Sequence, residues 1–192
     1  MNLYIKTSNQ GIQWNYWDGN KQNFLETQSG SINTVAGVQV FTVNVLFAFP
    51  IIVKEDVTIN EVQIAYSSSV AGNSVYGLYD MLNGLPNNLI FQTTPFDNSV
   101  TGTQIDILPS QVTIKKGIYF IAYNTSSVPN VYYFPIYVVP NIFGSSFSNL
   151  KSSSTIRLTN LYPYTGTLPT TFGGPVQATN ANYVPAVLFT IL

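Results

Sequence analysis

Eight carboxylates, Asp18, Glu26, Glu55, Asp56, Glu61, Asp80, Asp97 and Asp106, are the groups best suited to acid–base chemistry in this chain. A glycoside hydrolase needs two such groups facing each other across a cleft. Most of the eight fall in turn-forming or strand-end sequence, where a solvated charge is the ordinary outcome, and no spacing marks a pair. The chain has no histidine and no cysteine. That removes the commonest general base, the commonest transition-metal ligand, thiolate zinc sites, disulfides and cysteine nucleophiles. A serine nucleophile has no histidine to activate it and no Gly-x-Ser-x-Gly turn to present it. Calcium stays chemically open because it takes carboxylate, amide and carbonyl oxygens. Asp80 with Asn83, or Asp97 with Asn98, would be its ligands, but no Asp-rich ladder accompanies them and turn formation explains both pairs better. The expectation is a protein with no catalytic residue, no metal and no cofactor.

Aromatic residues are the more numerous candidates, with 13 Tyr and 12 Phe. Tyr132, Tyr133, Phe134 and Tyr137 lie in one run and Tyr162, Pro163 and Tyr164 in another. Such rings stack on sugar faces or anchor protein interfaces, because a tyrosine offers a rigid, amphipathic contact surface. Core or subunit interface accounts for these tyrosines more readily than a ligand site. Asn124-Thr125-Ser126 matches a glycosylation acceptor, which is read as a chance match in the absence of a secretory signal.

The elements that must position these residues read as β throughout. Residues 41–47 place Phe41, Val43, Val45 and Phe47 on one parity, the signature of a half-buried strand. Residues 57–66 change phase, with Val57 and Ile59 on one face and Val62, Ile64 and Tyr66 on the other, which predicts a bulge near Asn60-Glu61. Residues 74–79 and 88–91 flank a segment whose Asn83-Gly84 and Pro86-Asn87 pairs are turn chemistry. Residues 104–108 form a short strand ended by Pro109, and Val112 and Ile114 lead to a turn at Lys115-Lys116-Gly117. Residues 118–123 and 186–192 are apolar on both parities, as strands inside a sheet are. No window has the 3.6-residue apolar period of a helix. Many short strands separated by turn signals predict an antiparallel β-sandwich, jelly-roll-like, over residues 36–192. Residues 1–35 are read as an N-terminal arm carrying a β-hairpin, with Trp14, Tyr16 and Trp17 ahead of an Asp18-Gly19 turn. An edge hairpin of the same domain explains that run equally well.

At 192 residues the chain suits one domain, or one domain plus an arm. Charged residues are 8% of it, against roughly 25% in ordinary globular domains. The 7 Lys+Arg against 8 Asp+Glu include no basic run, so nucleic acid is excluded as a partner. No stretch reaches the ~18 uninterrupted apolar residues of a membrane helix, since the longest, 131–143, is cut by Pro135 and Pro140. The first residues, Met1 to Lys6, lack a signal peptide's apolar core, so synthesis in a cytoplasm is expected. A surface this short of charge and rich in aromatics fits a protein held against partners better than a freely diffusing enzyme.

One succession of motifs is familiar. Residues 46–62 (Leu46-Phe47-Ala48-Phe49-Pro50 through Glu61-Val62) precede Val75-Tyr76-Gly77-Leu78-Tyr79-Asp80 and Asn83-Gly84-Leu85-Pro86-Asn87. Then comes Val112-Thr113-Ile114-Lys115-Lys116-Gly117-Ile118-Tyr119-Phe120-Ile121-Ala122. This order resembles a β-sandwich module of tailed-bacteriophage virion proteins, the fibres and the proteins that decorate heads or tails. The Asn- and Tyr-rich style is similar to that of crAss-like phages with head fibres. The resemblance covers residues 46–125, and its motifs are turns and strand cores rather than a ligand site. It implies a virion location and partners among capsid, portal, tail or fibre proteins. The scarce charge and abundant aromatics of the chain predict a homo-oligomer, dimer or trimer, and aromatic rings on both faces of the arm's hairpin predict docking through Trp14, Tyr16 and Trp17. Contact with a host glycan is compatible with it, and a carbohydrate-binding module is the alternative reading.

Overall fold

The computed structural model describes residues 12–16, 22–27, 38–40, 42–53, 55–135, 155–181 and 183–192. Among them are fifteen strands and no helix, in two antiparallel sheets packed as a β-sandwich. Numbered in chain order, one sheet holds β1 (Ile12–Tyr16), β2 (Gln22–Thr27), β3 (Val38–Val40), β5 (Val57–Tyr66), β9 (Gly102–Ile114), β11 (Asn130–Pro135), β14 (Tyr183–Pro185) and β15 (Leu188–Ile191). Its order is β1-β2-β15-β5-β11-β14, with β9 on β5 and β3 on β11. The second holds β4 (Val45–Val53), β6 (Asn73–Leu82), β7 (Leu85–Gln92), β8 (Phe96–Asp97), β10 (Gly117–Thr125), β12 (Thr155–Leu161) and β13 (Gln177–Ala181), in the order β13-β12-β4-β10-β6-β7 with β8 on β6.

The core between the sheets follows from the alternation of β4, β5, β6 and β10. Phe47, Phe49, Tyr76 and Tyr123 from the second sheet share one buried cluster with Ile59, Ile64 and Phe189 from the first. The Tyr123 ring stacks on Phe47 at 5.0 Å and on Tyr76 at 5.6 Å, and Phe91 meets Phe189 edge-on across the sheets at 6.2 Å. The opposite parity of the same central strands is buried too. Leu46, Ala48, Val75, Tyr79, Phe120 and Ala122 form a second cluster beneath the irregular segment 162–176, which contributes Leu168 and Phe172. The second sheet is therefore buried on both faces, which is why residues 118–123 are apolar on both parities.

Amide side chains fasten that covering segment. Asn44 Oδ1 accepts from Tyr164 N (2.9 Å), and Asn124 Nδ2 donates to Tyr162 O (2.9 Å). Gln92 Oε1 accepts from Leu168 N (2.7 Å), and Asn160 Nδ2 donates to Phe172 O and Gly173 O (3.0 and 2.9 Å). Burying an amide with its partners satisfied avoids the desolvation cost of burying an ion, so polar but uncharged residues suit this role. Asn124 is fully buried, with its Nδ2 paired and its Oδ1 without a hydrogen-bond partner among the described residues, so the glycosylation match is structural sequence. Gly77 makes the approach possible, since a Cβ there would sit 2.6 Å from the Leu168 side chain.

At one end, Asp56 ties two sheet-to-sheet crossovers, accepting from Lys115 Nζ and Lys116 N at 2.9 Å each. Both groups are exposed. Elsewhere, Ser74, Asn98, Thr125 and Ser127 form a buried network in which Asn98 Nδ2 donates to Ser127 Oγ (2.8 Å) and Ser74 Oγ donates to Asn98 Oδ1 (2.9 Å).

The expected bulge lies at Asn60, where the β5–β9 register passes from Ile59↔Val112 to Glu61↔Ile107. Two expected strands differ. The strand read over 41–47 begins at Val45, because Asn44 adopts a left-handed φ of 58° while its backbone bonds Thr125 O and Tyr162 N. The two short strands around Pro109 are one, β9. Proline is tolerated there because β9 is an edge strand, paired with β5 alone.

Candidate functional site

The sequence around Asn83-Gly84 builds one wall of a shallow, open cleft among the described residues. Both residues have positive φ, 53° and 81°, the mirror-image turn that a two-residue hairpin requires. Asp80 locks the hairpin, its Oδ1 accepting from Asn88 N at 2.6 Å. β7 is the edge of its sheet, and the covering segment pairs with it only briefly, through Leu89 N to Thr170 O and Phe172 N to Asn87 O, both 2.9 Å. Beyond those bonds the two chains diverge and leave a cleft of about 360 Å³. Leu82, Leu85, Pro86 and Val176 give it an apolar lining, and Asn83, Asn87, Thr171, Gly173 and Gly174 supply polar groups. No lining residue is ionisable. Leu82 and Leu85 are about half exposed, at 56% and 45%.

The far wall is fixed by the covering segment's own geometry. Gly173 and Gly174 have φ of 54° and 68°. A Cβ on Gly174 would sit 2.6 Å from the Asn160 amide that holds the loop. The side chains of Asn83, Asn87 and Thr171 have no hydrogen-bond partner among the described residues, so their polar atoms are free to meet a ligand.

The aromatic candidates do not gather here. Tyr132 and Tyr133 are consecutive on β11 and so point to opposite faces, Tyr132 partly exposed and Tyr133 buried. Tyr162 and Tyr164, within the covering segment, pack partly buried against the second cluster, and burial raises the Tyr164 phenol above its ordinary pKa. Trp14 and Tyr16 lie on β1, whereas Trp17 and Tyr137 fall outside the described residues. The hairpin β1–β2 joins the sandwich through two residue pairs, Phe189↔Asn23 and Thr190↔Gln22.

Asp18 lies outside the described residues, and Asp56, Glu61, Asp80, Asp97 and Asp106 each accept hydrogen bonds that tie parts of the scaffold together. Glu61 accepts from Gln63 and Thr190, Asp106 accepts from Thr94, and Asp97 accepts from Ser99 through both backbone and hydroxyl. These bonds hold Asp97 below the usual carboxylate range, as Lys115 and Lys116 hold Asp56. Of the two calcium pairs, Asp97–Asn98 is divided, with Asn98 turned inward to Ser74 and Ser127 while Asp97 stays exposed, and in the other Asp80 accepts from Asn88 through both oxygens. Among the described residues, no three carboxylates come together as a metal site. The cleft was missed at the sequence level because its far wall has no periodic pattern, although Asn83-Gly84 and Gly173-Gly174 mark its rims.

No family model matches the chain, and no curated protein or solved structure is detectably similar to it.

Proposed function

We propose that this chain is a non-enzymatic structural component of a tailed-phage virion, a fibre or a head or tail decoration protein, acting through contacts with its own copies and with other virion proteins. The observation that carries the reading is the surface. Leu161 is 85% exposed and Ile107 74%, with Ile105 and Leu82 above half, on a chain with few ions to keep such side chains in solution. Exposed aliphatics without compensating charge favour a surface covered by neighbours. The motif succession over residues 46–125 supplies the virion setting. The β1–β2 hairpin extends one edge of the first sheet, and a docking role for residues 1–35 would use the outer edge of β1.

Light scattering on the purified chain at micromolar concentration tests this. A dimer or trimer is expected, with little response to salt because few charges are available to screen. A monodisperse monomer that also fails to join any particle overturns the reading. Removal of residues 1–30, which takes β1 and β2 from one edge of the first sheet and leaves β15 at that edge, is expected to leave a β-type circular dichroism spectrum and to abolish incorporation into particles.

A second reading, a carbohydrate-binding module that recognises surface glycans, is favoured by one observation: the uncharged cleft with unpaired amide and hydroxyl groups.

A further inference from the structure

We propose that the cleft between the β6–β7 turn and residues 171–176 binds one or two residues of an uncharged saccharide, with Asn83, Asn87 and Thr171 as the hydrogen-bonding groups. The proposal rests on the carbohydrate-binding reading above and assigns it a site.

The ligand class follows from what the walls offer. A charged ligand would leave water for a lining that holds no ionisable side chain, and an ion desolvated without a counter-charge is strongly disfavoured. The one nearby carboxylate, Asp80, is engaged by Asn88 through both its oxygens. A purely apolar ligand, such as an aliphatic side chain from a partner protein, would suit Leu85, Pro86 and Val176. It would also strand two amides and a hydroxyl against hydrocarbon, and buried polar groups without partners are costly. A sugar meets both demands. Its hydroxyls donate and accept, so they satisfy an amide at either end, and its C–H face packs on aliphatic carbon.

Size and rigidity agree. A volume of about 360 Å³ lies at the small end of the ~300–1,000 Å³ typical of ligand sites. Both walls are fixed before binding, one by the Asn83-Gly84 turn with its Asp80–Asn88 lock and the other by Asn160. A preorganised site loses little entropy on binding. Since no aromatic ring lines the cleft, a single site should bind weakly, in the millimolar range. Several copies in an oligomer would then supply avidity.

The test is amide-resolved NMR of the full isotope-labelled chain, titrated with glucose, galactose, mannose and N-acetylglucosamine and with their disaccharides at millimolar concentration. Shifts confined to residues 82–87 and 171–176 are expected with at least one of these sugars. The double variant Asn87→Ala, Thr171→Val should weaken that binding about tenfold, roughly 1.4 kcal/mol, while the rest of its spectrum is unchanged. Saccharide shifts that cluster elsewhere, or that persist in the double variant, overturn this site and leave the carbohydrate-binding reading standing. No shift with any of the sugars overturns both. A partner polypeptide's side chain seated in the cleft in a map of the assembled particle also overturns the site.

Discussion

The two faces of the second sheet are buried by different means. Toward the first sheet, β4, β6 and β10 meet another regular layer, and the contact is made by stacked rings and aliphatic side chains. On the opposite face, among the described residues, the cover is 162–176, an irregular segment held by Asn44, Gln92, Asn124 and Asn160. A strand satisfies its backbone through its neighbours, whereas an irregular segment over an apolar surface must find partners one group at a time. The amide-rich, ion-poor composition is the chemistry of that second kind of cover. It also leaves the cover free to end in a cleft, which a complete third sheet would have closed.

The largest expected effects separate the two faces directly. Phe49→Ala in the inter-sheet core should destabilise the fold by about 3–5 kcal/mol, because rigid layers on both sides cannot collapse into the cavity. Phe172→Ala, in the cover itself, should cost distinctly less, since its ring packs on one sheet and not between two. Urea unfolding of the two variants measures both, and equal losses would mean that the cover is as rigid as a sheet.

Alkaline pH should act on the inter-sheet core. Burial pushes the Tyr66 phenol up to about 12 and raises Tyr76 well above its ordinary value. For Tyr66, interactions with Ser74 and Tyr76 oppose the rise without cancelling it. The folded state keeps a proton that the unfolded state releases near pH 10, so stability is intact below that and falls between about pH 10 and 12. The slope is about 1.4 kcal/mol per pH unit for each such phenol. Tyrosinate absorbance should therefore show the core phenols of Tyr66 and Tyr76 appearing together with unfolding.

The smallest effect is a local one. Gly174→Ala forces an L-residue into a left-handed conformation and presses a Cβ onto the Asn160 amide. Strain of this kind costs about 1–3 kcal/mol. Hydrogen exchange should quicken over 170–176 and remain slow in β4 and β10. Uniform loss of protection would show that cover and sandwich unfold as one unit.

Sequence and structure agree where a residue's neighbours are regular. Residues 118–123 declare a strand buried on both faces, the phase change at Asn60 declares a bulge, and Asn83-Gly84 declares a hairpin. What covers the second face of β10 is not declared, because residues 162–176 follow no period and are fixed by side chains from β7, β10 and β12 and from Asn44, far away in the chain. Asn44 shows the limit well: it interrupts an alternating run that reads as strand, and only its bonds to Tyr162 and Tyr164 explain why the chain turns there. Tyr132 and Tyr133 look like a cluster in sequence and are divided by the pleat of β11.

The place of β15 has a consequence for biosynthesis. This strand lies between β2 and β5, with Phe189 against Phe91 of the opposite sheet. A ribosome releases β2 and β5 long before residues 188–191, so during translation the first sheet has a gap at its centre. Pairings so distant along the chain form slowly. The nascent chain must therefore wait, with apolar faces uncovered, until β15 slots in between β2 and β5.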